Sequence, residues 1–554
     1  MAVSGNWDRR MSRRRFVGMS GAGAAGLMLG AGPFTDKAIA APRFGAYPFS
    51  LGVASGDPEP RGVVLWTRLA PDPLNGGGMP DAAVPVRWEV SSDQRFKKVV
   101  ARGTEPARPE LGHSVHVEVD GLDLGSEYFY RFKSGSEISP VGRTKTAPRR
   151  NAALRELNFA FVSCQQYEHG YYTAYRRLAE EDLDVVFHLG DYIYEYGPNE
   201  YVATGGNVRV HNSPEVMDLL AYRNRHAQYR SDSDLQAAHR AFPWVVTWDD
   251  HEVENNYADE ISEDNVDPAL FLQRRAAAYQ AYYEHMPLRR RSVPRGPDMR
   301  LYRRVPFGDL VSFNVLDTRQ FRDDQAAGDG NKPPNPEQAD PNRTLTGAQQ
   351  ERWLFNGLQR SRARWNVLAQ QIFFAQRDSK AGSAQGFSMD SWDGYLGSRG
   401  RVQDALRRFD VSNPIVLSGD VHANWANNLL ADYDDPDSKV IGTEFVGTSI
   451  TSGGNGSDTR ADTPTTLAEN PHIKFFNNLR GYVRCRVTED EWRSDYRVLP
   501  FVSTRGAAIS TRASFVVADG EPGLQQAGSK RVAKAKSRNG ETEDTRLAQQ
   551  EAAR

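Results

Sequence analysis

Four apolar runs in this chain end in side chains able to hold a metal ion or move a proton. Asn158-Phe159-Ala160-Phe161-Val162 leads into Ser163-Cys164, and Val185-Val186-Phe187-His188-Leu189 into Gly190-Asp191, with Tyr192 and Tyr194 just beyond. Trp244 to Trp248 leads to Asp249-Asp250-His251-Glu252, and Ile415-Val416-Leu417 to Ser418-Gly419-Asp420-Val421-His422. Each has an ordinary reading when taken alone. Gly-Asp after an apolar run is a common turn or cap, a lone cysteine is usually a small core residue, and Asp-Asp-His-Glu suits a solvated loop. Jointly they point elsewhere. In a layered α/β fold, ligands collect beyond the carboxyl ends of strands, so four such ends are expected to converge on one pocket.

The positioning elements follow from apolar periodicity. Runs at 157–162, 183–189, 244–248, 310–316, 365–370 and 414–417 suit buried strands, and amphipathic stretches at 173–181, 235–240, 273–285 and 348–360 suit helices between them. The expected class is α/β, a core of sheets covered by helices over 149–519. Residues 42–148 differ. Short runs at 63–66, 84–90, 113–119 and 128–132, several of them alternating and separated by Gly and Asp turns, predict an all-β sandwich, fibronectin-like and accessory to the chemistry. A last strand is expected at 513–517, and the polar segment 520–554 reads as a tail, disordered or a single helix.

Composition narrows the function classes. The chain has 554 residues, 39% hydrophobic and 25% charged, so it folds around cores and exceeds one average domain. A net charge of -2 argues against a broad nucleic-acid-binding surface. Two cysteines exclude a disulfide-stapled scaffold and a four-thiolate zinc site. The first 41 residues read as an address. Ser12-Arg13-Arg14-Arg15-Phe16-Val17 precedes a mild Gly/Ala-rich apolar run, and Ala38-Ile39-Ala40 offers a cleavage site, as in twin-arginine export signals. The export machinery is then an expected partner, and the mature protein is expected to be secreted and mildly acidic. Oligomeric state is left open.

The order strand-Cys, strand-Gly-Asp-x-x-Tyr, strand-Asp-Asp-His-Glu and strand-Gly-Asp-x-His resembles the calcineurin-like metallophosphoesterase superfamily. Its departures from the usual pattern, Cys164 at the first acidic position, Gln166 for the paired histidine, Asp250 for asparagine and Asp420 for a histidine, are similar to those of the PhoD-like alkaline phosphatase family. More narrowly, the chain resembles secreted Streptomyces-type phospholipases D of that family. The resemblance covers about residues 44–520. It implies a ferric ion held by Cys164, Asp191, Tyr194 and His422, with Asp191 bridging to one or two calcium ions held by Asp250 and Asp420. It also implies that His251 stands beside the phosphate, with Asn256 near a phosphate oxygen.

The donor chemistry agrees with that assignment. Thiolate and phenolate favour a trivalent, redox-capable ion, and carboxylates favour calcium. Two neighbouring ions can clamp a phosphoryl group and activate a water for attack. The expected function is a metal-dependent phosphoesterase acting on phosphomonoesters and phosphodiesters. The alternative is phospholipase D cleavage of phosphatidylcholine at a membrane surface, and a metal-stabilised binding module or a cysteine hydrolase stands behind both. Cys485 is expected to be buried, inert and separate from Cys164. Tyr167, Tyr171, Tyr172, Tyr192, Tyr196, Tyr257, Trp392, Tyr395 and Trp425 read either as packing or as an aromatic rim for an organic group or a lipid surface.

Overall fold

The computed structural model of the chain describes residues 42–435 and 437–527; the expected export leader and the chain from 528 lie outside them. Two sheets lie face to face. Among the described residues one sheet has ten strands, with Glu156–Val162, Val185–Leu189 and Pro243–Thr247 at its centre. The other has seven, with Val311–Val315, Trp365–Ala369, Pro414–Ser418 and Val440–Val446 at its centre. Within each group neighbouring strands run parallel, so the loops leaving their carboxyl ends collect along one edge.

Alternation on these strands sends side chains to two apolar layers at once. Phe159, Phe187, Phe313, Val367, Leu417, Phe445 and Trp492 fill the space between the sheets. Ala160, Val162, Trp244 and Val246 point the other way and pack under Tyr175, Tyr229, Leu235, Tyr279 and Tyr282, which belong to the helices Thr173–Leu178, Leu219–Arg230, Ser233–Ala241 and Pro268–His285. Leu368, Val416 and Val446 pack likewise with residues of Gly347–Arg360 and Leu396–Arg408. Strands buried on both faces read as continuous apolar runs for this reason.

The N-terminal region is a sandwich whose inner layer belongs to the larger sheet. Val84–Ser91, Val99–Ala107, Glu127–Ser134, Glu137–Ile138 and Gly142–Lys145 form one antiparallel layer. Val86, Val90, Tyr130 and Phe132 from it meet Val63, Leu65, Val115 and Val117 opposite. The strands opposite, Val53–Glu59, Gly62–Arg68 and Ser114–Val119, continue the ten-stranded sheet: Ser55 pairs with Pro243 and Gly56 with Trp244 in parallel. The expectation of a tail from 520 is corrected. Glu521–Gln526 is a strand that pairs antiparallel with Ser510–Ala518, because the Asp519-Gly520 turn folds it back onto the sheet edge.

Candidate metal centre

Three of the four strand ends turn sharply where the functional side chain begins. Cys164, Asp191, Asp420 and His422 all sit at positive φ, 58°, 57°, 63° and 51°, a region that residues with a Cβ seldom occupy and that concentrates at functional sites. Gly190 turns with φ 113°, and a Cβ there would stand 2.4 Å from the Asp249 Cβ, so the two ligand loops meet at backbone distance. Glu252 welds them: its carboxylate accepts the N–H groups of Asp191 (3.1 Å), Tyr192 (2.6 Å) and Asp249 (2.8 Å).

Two donor pockets result, and Asp191 belongs to the first and borders the second. In the first, donor atoms of Cys164, Asp191 and His422 lie within 4.8 Å of one another. The Tyr194 hydroxyl donates to Asp191 Oδ2 at 2.8 Å and lies 3.1 Å from His422 Nε2 and 2.7 Å from Ser452 Oγ. In the second, Asp249, Asp250 and Asp420 converge in the same way, and Asp191, Asp250 and His251 form a third group between the two. The sequence-derived residues are therefore brought together, with one qualification. The Asn256 backbone N–H donates to Asp250 Oδ2 (2.8 Å), while its side-chain amide donates to Asp329 Oδ2 (2.7 Å).

These donors fit metal ions. Asp191 Oδ1, Asp249 Oδ2 and Asp250 Oδ1 are buried without a hydrogen-bond partner among the described residues, an arrangement that cations satisfy. Burial, then the neighbouring Asp191, pushes the Cys164 thiol and the Tyr194 phenol well above their ordinary ranges. Both are ligands whose charge a bound cation would stabilise. Burial opposes a charge on His251, but Glu195, Asp250 and Asp191 together outweigh it and hold the imidazole well above its usual range. Glu195 Oε2 accepts from His251 Nδ1 at 2.8 Å, and its other oxygen is fixed by the Asn255 N–H at 2.7 Å.

Several functional neighbours carry no local sequence signal. Arg319, fully buried, donates to Asp249 Oδ1 (2.5 Å) and to both oxygens of Asp390 (2.8 and 2.9 Å). It also stands 3.7 Å from Asp250 and 3.9 Å from Asp420. It lies just past Val311–Val315, so it too is a strand-end residue, and that position was the one available clue. Ser452 Oγ donates to the Cys164 carbonyl (2.8 Å) and accepts from the Gln166 N–H (3.1 Å). Arg480 holds the His422 carbonyl and Ser449.

The aromatic-rim alternative is corrected for most of its members. Tyr172, Tyr192, Tyr257, Trp392, Tyr395 and Trp425 are buried, packed against helices and strands. Tyr196 is partly exposed, and its ring stands edge-on to His251 at 5.4 Å. Cys164 and Cys485 are both buried and free.

The chain matches the family model "PhoD-like phosphatase" over residues 159–496 and "PhoD-like phosphatase, N-terminal domain" over 35–148. It is 61% identical over 547 residues to alkaline phosphatase D of Bacillus subtilis (strain 168), an alignment covering 98% of this chain and 93% of that protein. A solved structure of PhoD superposes with a TM-score of 0.87 at 62% identity, covering 93% of this chain and 98% of the other. With these likenesses over nearly its full length, and with paired donor pockets at the strand ends, the chain belongs to the PhoD-like phosphatase family of metal-dependent phosphoesterases.

Proposed function

We propose that this is a secreted enzyme hydrolysing phosphomonoesters and phosphodiesters. A ferric ion would be held by Cys164, Asp191, Tyr194 and His422, and calcium by Asp250 and Asp420 with Asp249 beside them, Asp191 being the carboxylate the two donor groups share. The observation that carries this reading is the difference between the pockets: thiol, phenol and imidazole in one, carboxylates alone in the other. When bound, the ions supply Lewis-acid charge and lower the pKa of a water molecule.

The protein's own groups do the rest. Glu195 fixes His251 through Nδ1 and favours its protonated form, which leaves Nε2 as a donor to a phosphoryl oxygen or to the leaving alkoxide. An alkyl ester depends on that proton more than a phenyl ester does, because an alkoxide is the poorer leaving group. The stacked Tyr194 ring (4.1 Å) and the edge of Tyr196 shield the imidazole from water. Export is supported by the paired arginines at 13–14 and the small residues before 41.

The test is metal analysis and the visible spectrum of the purified protein, followed by turnover of a phenyl phosphate, a bis-phenyl phosphate and a choline phospholipid. Iron, calcium, a charge-transfer colour and turnover of the first two are expected. Turnover of the phospholipid alone would replace this reading with a phospholipase D. Replacing Arg13 and Arg14 by lysine should abolish export.

A further inference from the structure

Around the side chain of Tyr192, the residue after Asp191, the fold buries a group of basic side chains. Arg230 closes the helix Leu219–Arg230, and His226 stands one turn before it on the same face. Both are fully buried. The Arg230 guanidinium lies over the Trp66 ring at 4.1 Å, and its Nη1 donates to the Tyr192 hydroxyl at 3.3 Å. Its Nε and Nη2, and both ring nitrogens of His226, have no hydrogen-bond partner among the described residues.

The neighbouring imidazoles add donors to this group. Burial, then Arg230 and the other arginines nearby, lowers the His226 pKa to about 3. Burial and Arg230 hold His239 well below its usual range, and burial alone lowers His188 to about 3. All three rings are therefore neutral and carry one N–H each. The Gly190 N–H donates to His188 Nδ1 at 3.3 Å, which leaves the His188 proton on Nε2, an atom without a partner. Tyr192 accepts from Arg230 and donates to His239 Nε2 at 2.8 Å, so the His239 proton sits on Nδ1, which has none either. Arg68 donates to His285 Nε2 at 2.7 Å, and the His285 ring stacks on His226 at 4.8 Å.

The acids nearby are spoken for. Arg230 makes no ion pair among the described residues. Glu284, which acts on Arg68, is gripped by Arg223 at both oxygens, 2.6 Å each. Glu252 acts on Tyr282, whose ring stands edge-on to His226 at 6.2 Å, but it already accepts three backbone N–H groups. A buried guanidinium without a counter-charge is among the costliest groups a fold can carry. A water molecule would satisfy single donors and leave the charge unbalanced, whereas a small anion answers both.

We infer that Arg230 and His226 form a buried site for one monatomic anion, a halide such as chloride. Trp66, Tyr192, His239 and Tyr282 are fully buried around it, which favours an ion that sheds its water easily over a phosphate or a carboxylate. The anion braces the loop that carries Asp191. The Tyr192 N–H is held by Glu252 at 2.6 Å, and its carbonyl accepts from Gln165, next to Cys164, at 2.7 Å. The site goes beyond the phosphoesterase reading and does not depend on it.

Long-wavelength diffraction from crystals of the metal-loaded full-length protein, grown in bromide, tests this. An anomalous peak in contact with Arg230 and His226, from bromide or from retained chloride, is the expected result. A water molecule at that position, or halide peaks at the surface alone, overturns the site. In solution the melting temperature should be higher in bromide or chloride than in methanesulfonate at equal ionic strength, by about 2 °C or more. Arg230→Met keeps an apolar stem without the charge and should abolish that difference. An undiminished difference in this variant overturns the site. If Arg230→Met does not fold, His226→Phe keeps a ring against His285 and removes the N–H, and halide affinity should weaken by about tenfold. An unchanged affinity likewise overturns the site. None of these measurements reads turnover, so failure of the phosphoesterase reading would leave the site standing.

Discussion

The two donor pockets gather negative charge in opposite ways. Around Cys164, Tyr194 and His422 no Lys or Arg side chain among the described residues pairs with the donor atoms; Arg480 goes to the His422 carbonyl, Ser449 and Gly454 instead. Burial keeps the thiol and phenol protonated there. Around Asp249, Asp250 and Asp420 a buried guanidinium is built in, and Arg319, helped by His251, holds Asp250 below the ordinary carboxylate range against the pull of burial. The first pocket has no built-in counter-charge, whereas in the second Arg319 favours the charge on Asp250 while burial still raises the pKa of Asp249 and Asp420. Removing a ligand or a counter-charge should therefore have different consequences on the two sides.

The largest effect is expected where the pockets meet. Asp191→Ala removes a carboxylate grouped with Cys164 and His422 on one side and with Asp250 and His251 on the other. We expect kcat/KM on a nitrophenyl ester to fall by about a thousandfold or more, with elemental analysis showing both metals depleted. Loss of one metal alone would show that Asp191 serves a single pocket.

The next prediction separates the pockets without the metals. Arg319→Met strands buried carboxylates without their partner, which should cost about 3–5 kcal/mol of stability in the metal-free protein, read by urea unfolding. Cys164→Ser should cost about 1 kcal/mol in the same experiment while removing the thiolate-dependent absorption of the loaded protein. Equal losses from the two substitutions would erase the proposed difference.

How much of this was legible beforehand depends on whether a residue announces itself locally. The strand ends did, because an apolar run followed at once by Cys, Gly-Asp or Asp-Asp-His is visible in one short window. The helices Pro268–His285 and Gly347–Arg360 were visible through their apolar spacing. Leu219–Arg230 was not, because its buried face includes Arg225, His226, Gln228 and Arg230, so helical periodicity does not show in hydrophobicity. Arg319 and Asp390 are linked across 71 residues and Ser452 meets Cys164 across 288. Such partnerships exist only after folding. The same holds for Val53–Glu59, whose parallel neighbour Pro243–Thr247 lies far along the chain, so the sandwich could be foreseen but not its shared sheet.

A smaller effect tests whether the first pocket depends on its surroundings alone. Ser452→Ala deletes a hydroxyl that ties Tyr194 Oη to the Cys164 carbonyl and the Gln166 N–H. Partners of metal ligands typically contribute 10–100-fold in affinity. We expect iron affinity to weaken by about tenfold and the tyrosinate absorption to shift, with calcium affinity unchanged. A matching loss of calcium affinity would mean that the pockets are mechanically one.

The smallest effect concerns burial of a titratable group with no metal in prospect, a baseline for both pockets. His116, on the strand Ser114–Val119, stacks on Tyr283 at 4.3 Å and shares one 3.1 Å bond with the Leu288 carbonyl, while its other nitrogen has no partner among the described residues. Burial lowers its pKa to about 4, against about 6.5 in the unfolded chain. The unfolded chain therefore takes up the proton first. The stability from neutral His116 is complete above about pH 6.5 and is lost as the pH falls toward 4. At pH 5.5 the loss is about 1.4 kcal/mol, and His116→Gln should remove that share of the acid-induced fall measured by urea unfolding between pH 8 and 5.5. If the fall is unchanged in the variant, His116 is not neutral in the fold, and burial alone is a poor guide to the protonation of the thiol and phenol at the metal centre as well.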